Sequence, residues 1–516
     1  MTISPKLPKH VHVIGICGVA TSALAIAFQE HGIKVTGSDK GFFPPISTEL
    51  EKHKISFYAG WHPEKMVEGG TPDVVMIGAA SGSQNPETLY AKEHNIPMYS
   101  YPEIIGAFFA KENSIVCVGT WGKTSSSALL SFILDHAGYN PTYMFGGVSI
   151  SHESSARLSD SKWSVFEGDE YKSSPTDQTA KFFYYNPTHL LLTAVSWDHA
   201  DLYPTETAYF DTFKKLLRGL QKNTAPADKK GFIVGCADHE GVRKVLGEFN
   251  GKKILYGRDG GDANEGIGKS AIDKNSSYTY SKIHQGVNGL DLTITHDCKE
   301  YIVHSPMLGT FQAENITGCF AMAHELGIAP EKIVEAIATF KGLKRRMEKR
   351  LDVDVKDSDD TKESNNTKNG SGITIIDDIA HSPEKARSVL STLRAIYKGK
   401  VIVVFEPNIG GRSRESAGKY DNAFDNADVV IIPRLTKLKV ADDSKASNSS
   451  KTEIPMEGDE LAATIGKTHK NVHYLENDEK LVTFLETQTK AGDVIAFLGS
   501  HGFRGMIEET INKIDQ

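Results

Sequence analysis

The sequence predicts an α/β fold of three successive domains: a Rossmann-like first domain, a central domain with a phosphate-binding loop, and a Rossmann-like third domain. Apolar strands alternate with helical segments along the chain, and this alternation restarts twice. At 516 residues the chain also exceeds what one hydrophobic core holds, and about 150 residues per domain suggests about three domains. We predict domain boundaries at 1–112, 113–342 and 343–516.

In the first domain, a glycine turn separates a buried strand from an apolar helix. The predicted strands are His10 to Gly15, Lys34 to Ser38 and Val74 to Ile77, and the helix runs from about Thr21 to Gly32. The turn carries Gly15 and Gly18, but G-x-x-G is shorter than a dinucleotide fingerprint, so a tight turn and a ligand loop are both open. Asp39, after the second strand, is placed to hold a ribose hydroxyl.

The second domain begins with an apolar strand that runs into a glycine loop and a buried helix ending near Gly138. Its predicted elements are the strands Ser114 to Val118, Trp163 to Phe166 and Leu190 to Ala194, and the helix Ala313 to Leu326. The third domain repeats the pattern, with strands Thr374 to Ile376, Lys400 to Phe405 and Asp493 to Leu498, and a helix Pro383 to Ile396. Two polar tracts, Lys356 to Gly372 and Asp442 to Lys451, are predicted to be solvated insertions.

The composition excludes several classes of function. A net charge of -8 provides no basic surface for nucleic acid. The N-terminus lacks the apolar core of a secretory signal, and no apolar run reaches the roughly 18 residues of a membrane span, so we expect a cytoplasmic protein. The five cysteines are scattered without C-x-x-C pairing, which indicates reduced, mostly buried thiols.

The strongest chemical motif is G-x-x-G-K-T, formed by Gly119, Gly122, Lys123 and Thr124 between a buried strand and a buried helix. Backbone N–H groups at a helix N-terminus bind phosphate oxygens, Lys123 adds positive charge, and Thr124 is placed to reach Mg²⁺. The spacing is shorter than the usual phosphate loop. The strand–loop–helix context therefore carries the prediction of an ATP site, with a structural turn as the alternative.

Acidic side chains follow two strands of the second domain. Glu167, Asp169 and Glu170 come after one strand, and the segment Asp198 to Asp201, with His199, comes after another. Hard oxygen ligands at strand ends suit Mg²⁺, whereas surface charge in loops is the alternative.

The third domain has two candidate functional segments, one at the start of a helix and one with a pair of arginines. Asp378 and His381 precede Pro383, which suits the first turn of a helix. Taken alone, this segment is equally consistent with a helix N-cap and a solvent-facing histidine. Arg412 and Arg414 follow a glycine-rich turn, and paired arginines suit a carboxylate or phosphate, although solvated charge is equally consistent.

Taken in order, the segments GICG, GSD, GTWGKTS, EGDEY, DHAD, KGLKRRME, DDIAHSP and GSHGFRG resemble the Mur ligase family across nearly the whole chain. Each segment is short, but their order is highly specific. Within the family, four features resemble the murein peptide ligases, which join UDP-N-acetylmuramate to the tripeptide L-alanyl-γ-D-glutamyl-meso-diaminopimelate: GSDKGFFPPIST, Tyr171, KFFYYNP and Ala380.

The resemblance implies amide formation through an acyl phosphate, with ATP as co-substrate and Mg²⁺ as cofactor. We expect a monomer or weak homodimer. Lys123, Glu167 and His199 would be catalytic, and the Mg²⁺ ligands would be Thr124, Glu167 and His199. The residues implied for ATP are Gly119, Thr120, Gly122, Lys123, Thr124, Ser125, Gln312, Asn315, Arg346 and Asp378. Those implied for the UDP sugar are Gly15, Gly18, Ser38 and Asp39, and those for the amino substrate are His381, Arg412 and Arg414.

Some residues depart from the family pattern. Trp121 stands where histidine or asparagine is usual, and Gln312 replaces an asparagine. The spacing of Arg412 and Arg414 resembles that of the ligases that add L-alanine to UDP-N-acetylmuramate. Such a ligase is therefore one alternative, and a nucleotide-binding regulator without catalysis is another. A dehydrogenase is unsupported, because it would leave the phosphate loop and the third domain unexplained.

Overall fold

The computed structural model describes residues 5–78, 82–174, 176–199, 201–221, 231–259, 277–351, 372–436 and 455–514. The chain divides into two compact units. The first comprises Met1–His284, Asp291–Pro306 and Phe311–Leu343, and the second comprises Gln285–Leu290, Met307–Thr310 and Lys344–Gln516. Apart from Gly372, the two polar tracts predicted as insertions lie outside the described residues.

A five-stranded sheet opens the first unit. Its elements are β1 (His10–Ile14), α1 (Val19–Glu30), β2 (Lys34–Asp39), α2 (Ile46–Lys52), β3 (Ser56–Ala59), α3 (Pro63–Glu68), β4 (Val74–Ile77), α4 (Pro86–Glu93), β5 (Met98–Ser100) and α5 (Tyr101–Ile104). The strand order is β3-β2-β1-β4-β5, and all pairs are parallel. The order reverses between β1 and β4, so the glycine turn after β1 lies at the switch point where open α/β sheets bind ligands.

The second sheet of this unit has ten strands. Its elements are β6 (Asn113–Val118), α6 (Lys123–His136), β7 (Thr142–Met144), β8 (Ala156–Arg157), β9 (Trp163–Gly168), β10 (His189–Leu192), α7 (Glu206–Gln221), β11 (Ile233–Cys236), α8 (Glu240–Gly247), β12 (Lys253–Arg258), β13 (Tyr278–Gly286), β14 (Gly289–His296), β15 (Lys299–Ser305), α9 (Gln312–Glu325) and α10 (Pro330–Thr339). The strand order is β15-β14-β13-β12-β11-β10-β6-β9-β7-β8. Because β11, β10, β6 and β9 are adjacent and parallel, the loops after them meet at one edge.

The second unit holds a six-stranded sheet. Its elements are β16 (Glu348–Leu351), β17 (Thr374–Asp378), α11 (Pro383–Ile396), β18 (Val401–Glu406), β19 (Val429–Pro433), α12 (Gly458–Ile465), β20 (Val472–Leu475), α13 (Asp478–Gln488), β21 (Val494–Gly499) and α14 (Met506–Ile514). The order is β16-β17-β21-β18-β19-β20, and only β16 among these strands runs antiparallel to its neighbour. The central strands are buried along their whole length, as parallel strands covered by helices are.

The predicted α/β class is confirmed, and the strands and helices named in the sequence analysis begin and end within two residues of their predicted positions. Gly138 follows α6 with φ of 87°, a conformation that suits a glycine helix stop. Cys17, Cys117, Cys236 and Cys319 are free and buried, and Cys298 is free and exposed. Among the described residues, no helix combines the length and apolar character that a membrane span requires.

Candidate active site

The loop from Gly119 to Thr124 joins β6 to α6 and is packed too tightly for side chains at both glycines. Gly119 has φ of 141° and Gly122 has φ of 82°, which L side chains rarely adopt. A Cβ on Gly119 would lie 2.3 Å from Thr193 Oγ1, and one on Gly122 would lie 2.6 Å from Asn315 Oδ1. The loop therefore packs closely against Thr193 and Asn315. It leads into the N-terminus of α6, where backbone N–H groups bind phosphate.

Lys123 folds back over this loop and pairs with a buried carboxylate. Its Nζ donates to Gly119 O at 2.6 Å and lies 3.0 Å from Glu170 Oε2. Tyr209 OH donates to Glu170 Oε1 at 3.2 Å and lies 3.0 Å from Thr120 Oγ1. Burial raises the pKa of the Glu170 carboxyl, although the Lys123 ammonium acts in the opposite direction. The ammonium is thus positioned from two sides.

A second carboxylate, Glu167, faces the first turn of α6. Thr124 Oγ1 donates to Glu167 Oε1 at 2.7 Å, and the Gly146 N–H donates to Glu167 Oε2 at 2.5 Å. His199 has φ of 54°, a strained value for this residue, and its Nε2 lies 3.7 Å from Glu170 Oε1. Two carboxylates, a hydroxyl and an imidazole therefore collect at the edge formed by β10, β6 and β9, as predicted from their strand-end positions.

The first turn of α9 also contacts the phosphate loop region. Gln312 and Asn315 are both buried, and Asn315 Nδ2 donates to Gln312 Oε1 at 3.1 Å. Ser126 Oγ donates to Asn315 Oδ1 at 3.4 Å, which ties α9 to α6. Ser125 lies in the first turn of α6. The amide pair is therefore held beside the loop, and its contact with adenine stays a prediction.

A cleft of about 430 Å³ opens at the switch point of the first sheet, lined among others by Gly15, Gly18 and Asp39. Asp39 Oδ2 accepts the Cys17 N–H at 2.8 Å, and Thr21 Oγ1 donates to Gly15 O at 2.7 Å. These bonds give the short G-x-x-G turn a defined shape, and the cleft is large enough for a nucleotide group.

In the second unit, the predicted nucleotide residues differ in exposure. Asp378 is buried, and its two oxygens accept the N–H groups of Met347 and Ala380, each at 2.8 Å. Arg346 is exposed, between Arg345 with φ of 57° and Met347 with φ of 52°. The carboxylate shapes this strained loop, and the roles of Asp378 and Arg346 in ATP binding stay predictions.

The residues predicted for the amino substrate also differ in exposure. His381 Nδ1 lies 2.7 Å from Ile379 O. Arg412 is buried with Nη2 donating to a backbone carbonyl, whereas Arg414 is exposed and pairs with Glu460 at 3.2 Å. Of the two arginines, only Arg414 therefore presents its guanidinium to solvent.

Three family models match successive parts of the chain. The model described as the Mur ligase family, catalytic domain, matches residues 10–113. The Mur ligase middle domain matches residues 118–323, and the Mur ligase, glutamate ligase domain, matches residues 365–501. The chain belongs to the Mur ligase family. It is an ATP-dependent ligase that forms carbon–nitrogen bonds.

Curated relatives of this ligase carry two kinds of name. A UDP-N-acetylmuramate–L-alanyl-γ-D-glutamyl-meso-2,6-diaminoheptandioate ligase from Haemophilus influenzae is 26% identical over 98% of this chain and 99% of its own length. A UDP-N-acetylmuramate–L-alanine ligase from Bradyrhizobium sp. is 29% identical over 96% of each chain. The family and its ATP chemistry are common to both, and the amino substrate is not.

Solved structures show the same fold. A UDP-N-acetylmuramate-alanine ligase from Thermotoga maritima superposes with a TM-score of 0.72 at 20% identity, covering 98% of this chain and 99% of that one. A murein peptide ligase from Psychrobacter arcticus superposes with a TM-score of 0.61 at 21% identity, with the same coverage. The three-domain Mur ligase architecture predicted from the sequence is confirmed.

The residues around Lys123 fit Mg²⁺, which Mur ligases use with ATP. The Glu167 carboxylate and the Thr124 hydroxyl offer hard oxygen ligands, and they lie within hydrogen-bonding distance of each other. The negative charge of the carboxylate suits a divalent cation. His199 lies with Glu170 at the same edge, and one imidazole among oxygen donors is acceptable. When bound, the ion would supply positive charge to the phosphate oxygens.

Ser38, whose role in UDP binding stays a prediction, directs its hydroxyl into the first domain of the ligase. It is buried, and its Oγ donates to Glu87 Oε2 at 2.5 Å. Glu87 Oε1 accepts from Tyr58 OH at 2.6 Å and from the His62 N–H at 2.8 Å. Burial opposes charge on Glu87, but these hydrogen bonds and the nearby His12 imidazole, whose Nε2 lies 3.6 Å from Glu87 Oε2, lower the pKa of its carboxyl. In the sequence, Glu87 is indistinguishable from an ordinary acidic residue of a first helical turn.

We expect Glu87→Ala to lower the free energy of unfolding by about 3 kcal/mol, because the buried Ser38 hydroxyl and two partly buried donors lose their acceptor. Urea unfolding monitored by circular dichroism measures this. Glu93→Ala, at the exposed end of the same helix, is the matched control and should stay within about 0.5 kcal/mol of wild type. The Glu87 contribution is present above the unfolded-state pKa of about 4.3 and is lost as the pH falls through the lower folded-state pKa. Equal stabilities of the two variants would refute this role.

Proposed function

We propose that this ligase joins UDP-N-acetylmuramate to the tripeptide L-alanyl-γ-D-glutamyl-meso-diaminopimelate, as a cytoplasmic step of peptidoglycan recycling. The observation that carries the proposal is the full-length similarity to the Haemophilus influenzae relative whose name states this activity. The motif residues Tyr171 and Ala380 support it, because they resemble the murein peptide ligases. The nucleotide-sugar and ATP substrates are those of the cytoplasm.

The proposed chemistry has two displacements. A muramate carboxylate oxygen attacks the γ-phosphorus of ATP, the bond from that phosphorus to the bridging oxygen breaks, and ADP leaves. The peptide amine then attacks the acyl carbon and loses a proton, and inorganic phosphate leaves as the amide forms. Both displacements concentrate negative charge, so preorganised positive groups are the main catalytic requirement.

Two groups of this chain meet that requirement. The amide groups heading α6 and the Lys123 ammonium bind the triphosphate, while Glu170 and Tyr209 hold the ammonium in place. The cleft at Gly15, Gly18 and Asp39 takes the UDP moiety. We further propose that Gln312, Asn315, Arg346 and Asp378 bind ATP, and that His381, Arg412 and Arg414 bind the amino substrate.

The second candidate is addition of L-alanine to UDP-N-acetylmuramate. It is favoured by the relatives of that name, which reach 29% identity over 96% of this chain. The ATP and muramate sites would be shared, and the acceptor amine would differ.

We expect phosphate release in the presence of ATP, Mg²⁺ and UDP-N-acetylmuramate to require the tripeptide. The assay compares tripeptide, L-alanine, the corresponding lysine-containing tripeptide, and no amine, with mass spectrometry of the product. Lys123→Ala enzyme, prepared in the same way, reports any contaminating phosphatase. Turnover with L-alanine and none with tripeptide would establish the second candidate and refute the first.

A further inference from the structure

Trp121 is an exposed aromatic side chain in a loop whose backbone is fixed. Trp121 is 50% exposed. The Trp121 carbonyl accepts a hydrogen bond from Thr193 Oγ1 at 2.5 Å, and the loop lies so close to Thr193 and Asn315 that a Cβ at Gly119 or Gly122 would clash with them. An indole at this position is therefore held at the entrance of the phosphate site.

The indole is also braced from the side. His239 contacts it edge to face, with ring centroids 5.4 Å apart and an interplanar angle of 76°. His239 Nε2 in turn lies 2.9 and 3.0 Å from the two carboxylate oxygens of Glu314, a residue of the first turn of α9. Burial opposes the charged form of His239, but the pKa of this residue is raised above its ordinary value, because the hydrogen bond to Glu314 and the charge of Glu314 outweigh the effect of burial. A chain of three side chains thus connects the loop to α9 and to the turn before α8.

The cluster also has the outline of a metal site, because ligand atoms of Cys236, His239 and Glu314 lie within 4.8 Å of one another. However, burial raises the pKa of the Cys236 thiol well above its ordinary value, and thiolate is the form that binds metal. His239 Nε2 is already bonded to both oxygens of Glu314. The hydrogen-bonded bracing of Trp121 accounts for the cluster better than a cation does.

The position of the ring relative to the sheet indicates what it binds. The phosphate loop follows β6, His239 follows β11, and β10 lies between these strands, so Trp121 and His239 span the carboxyl ends of three adjacent strands. Gln312 and Asn315 occupy the same turn of α9 as Glu314. If a nucleotide binds with its phosphates on the loop and its base toward α9, the base lies next to the exposed part of the Trp121 indole.

We propose that Trp121 is the residue on which the base of ATP stacks, that His239 and Glu314 position it, and that this platform makes the ligase prefer purine over pyrimidine triphosphates. The proposal rests on the proposed ATP site and is independent of the amine. Aromatic stacking favours the larger ring system, because purines present more surface than pyrimidines. Trp121 contacts substrate, whereas His239 and Glu314 act through it.

The test titrates the ligase with a non-hydrolysable ATP analogue, CTP and inorganic tripolyphosphate, each with Mg²⁺ and without any acceptor. The readout is fluorescence of the four tryptophans, Trp61, Trp121, Trp163 and Trp197, with calorimetry as an independent measure of Kd. Trp197→Phe is the matched control, because Trp197 is also exposed but its indole N–H is bonded to Tyr203 O.

We expect Trp121→Ala to weaken binding of the ATP analogue about 10- to 100-fold, with a smaller loss for CTP. Tripolyphosphate should bind as in wild type, which shows an intact loop. Trp121→Phe should retain most of the affinity and lose the nucleotide-dependent quenching, whereas Trp197→Phe keeps both. Glu314→Gln should raise KM for ATP several-fold at unchanged kcat.

Two results would overturn the proposal. The first is wild-type affinity for the ATP analogue in Trp121→Ala, and the second is quenching that survives in Trp121→Phe and disappears in Trp197→Phe. Failure of the wild-type ligase to bind either nucleotide or tripolyphosphate would instead refute the ATP site itself. The experiment therefore separates failure of the stacking role from failure of the proposed function.

Discussion

Replacing Lys123 with alanine is expected to lower kcat for amide formation by about 100- to 1,000-fold, the loss typical of one preorganised group that stabilises developing negative charge. The ammonium lies 2.6 Å from Gly119 O, inside the loop that heads α6, so it adds positive charge where the triphosphate would bind. Phosphate release and product formation, measured at saturating ATP, give kcat, and a separate titration gives KM. Lys162→Ala, on an exposed lysine, is the control and should leave both unchanged.

The Lys123 variant also needs a control for folding, because its partner Glu170 is buried. Removing one member of a buried pair costs about 3 to 5 kcal/mol when the other stays charged. The raised pKa of Glu170 reduces this cost, since the carboxyl can take up a proton. The double variant Lys123→Ala/Glu170→Gln removes the uncompensated charge, so it should recover stability without recovering kcat. Wild-type turnover in a folded double variant would contradict the role of Lys123.

Much of the fold and the central part of the site could be predicted because their signals are local. The phosphate loop is a contiguous strand–glycine–helix segment, and both glycines have the positive φ that such a turn uses. Glu167 and His199 follow strands, and strand carboxyl ends share an edge in a parallel sheet. The position of these residues directly after strands was therefore sufficient to predict that they lie at one edge of the sheet.

Contacts between distant segments could not be predicted in the same way. His239 and Glu314 are 75 residues apart, and His239 reaches Trp121 only because β11, β10 and β6 are neighbours. No local pattern encodes that strand order. Trp121 therefore looked like an unexplained departure in the sequence, and its bracing became visible only in the assembled sheet.

The direction in which a side chain points was also not predictable from the sequence. Ser38 and Asp39 are adjacent in β2, so their side chains point to opposite faces: Asp39 bonds the glycine turn and Ser38 bonds Glu87. Arg412 and Arg414 looked like a pair, but Ser413 is extended between two short helical turns, and the arginines differ in burial. Spacing in the sequence indicated the right neighbourhood, and local backbone geometry decided the contacts.

Glu167→Gln should lower kcat by about 100-fold or more and raise the Mg²⁺ concentration required for half-maximal rate, because it removes the negative charge of a hard oxygen donor. The carboxylate accepts from the Thr124 hydroxyl and the Gly146 N–H. A glutamine amide keeps the shape but offers one acceptor oxygen and one donor nitrogen, so one of these two donors loses its partner. The substitution therefore acts on charge and on the hydrogen bonds that orient Thr124.

The Mg²⁺ dependence distinguishes these two effects. Loss of cation binding shifts the Mg²⁺ titration, and excess Mg²⁺ then restores part of the rate. Loss of orientation alone lowers the rate at every Mg²⁺ concentration, because Thr124 is misplaced whether or not the ion is present. Thr124→Val, which lacks the hydroxyl but keeps Glu167 charged, should shift the titration less than Glu167→Gln. Glu153→Gln, on an exposed glutamate, is the matched control. If Glu167→Gln shows the titration and rate of that control, Glu167 is not a ligand of the ion.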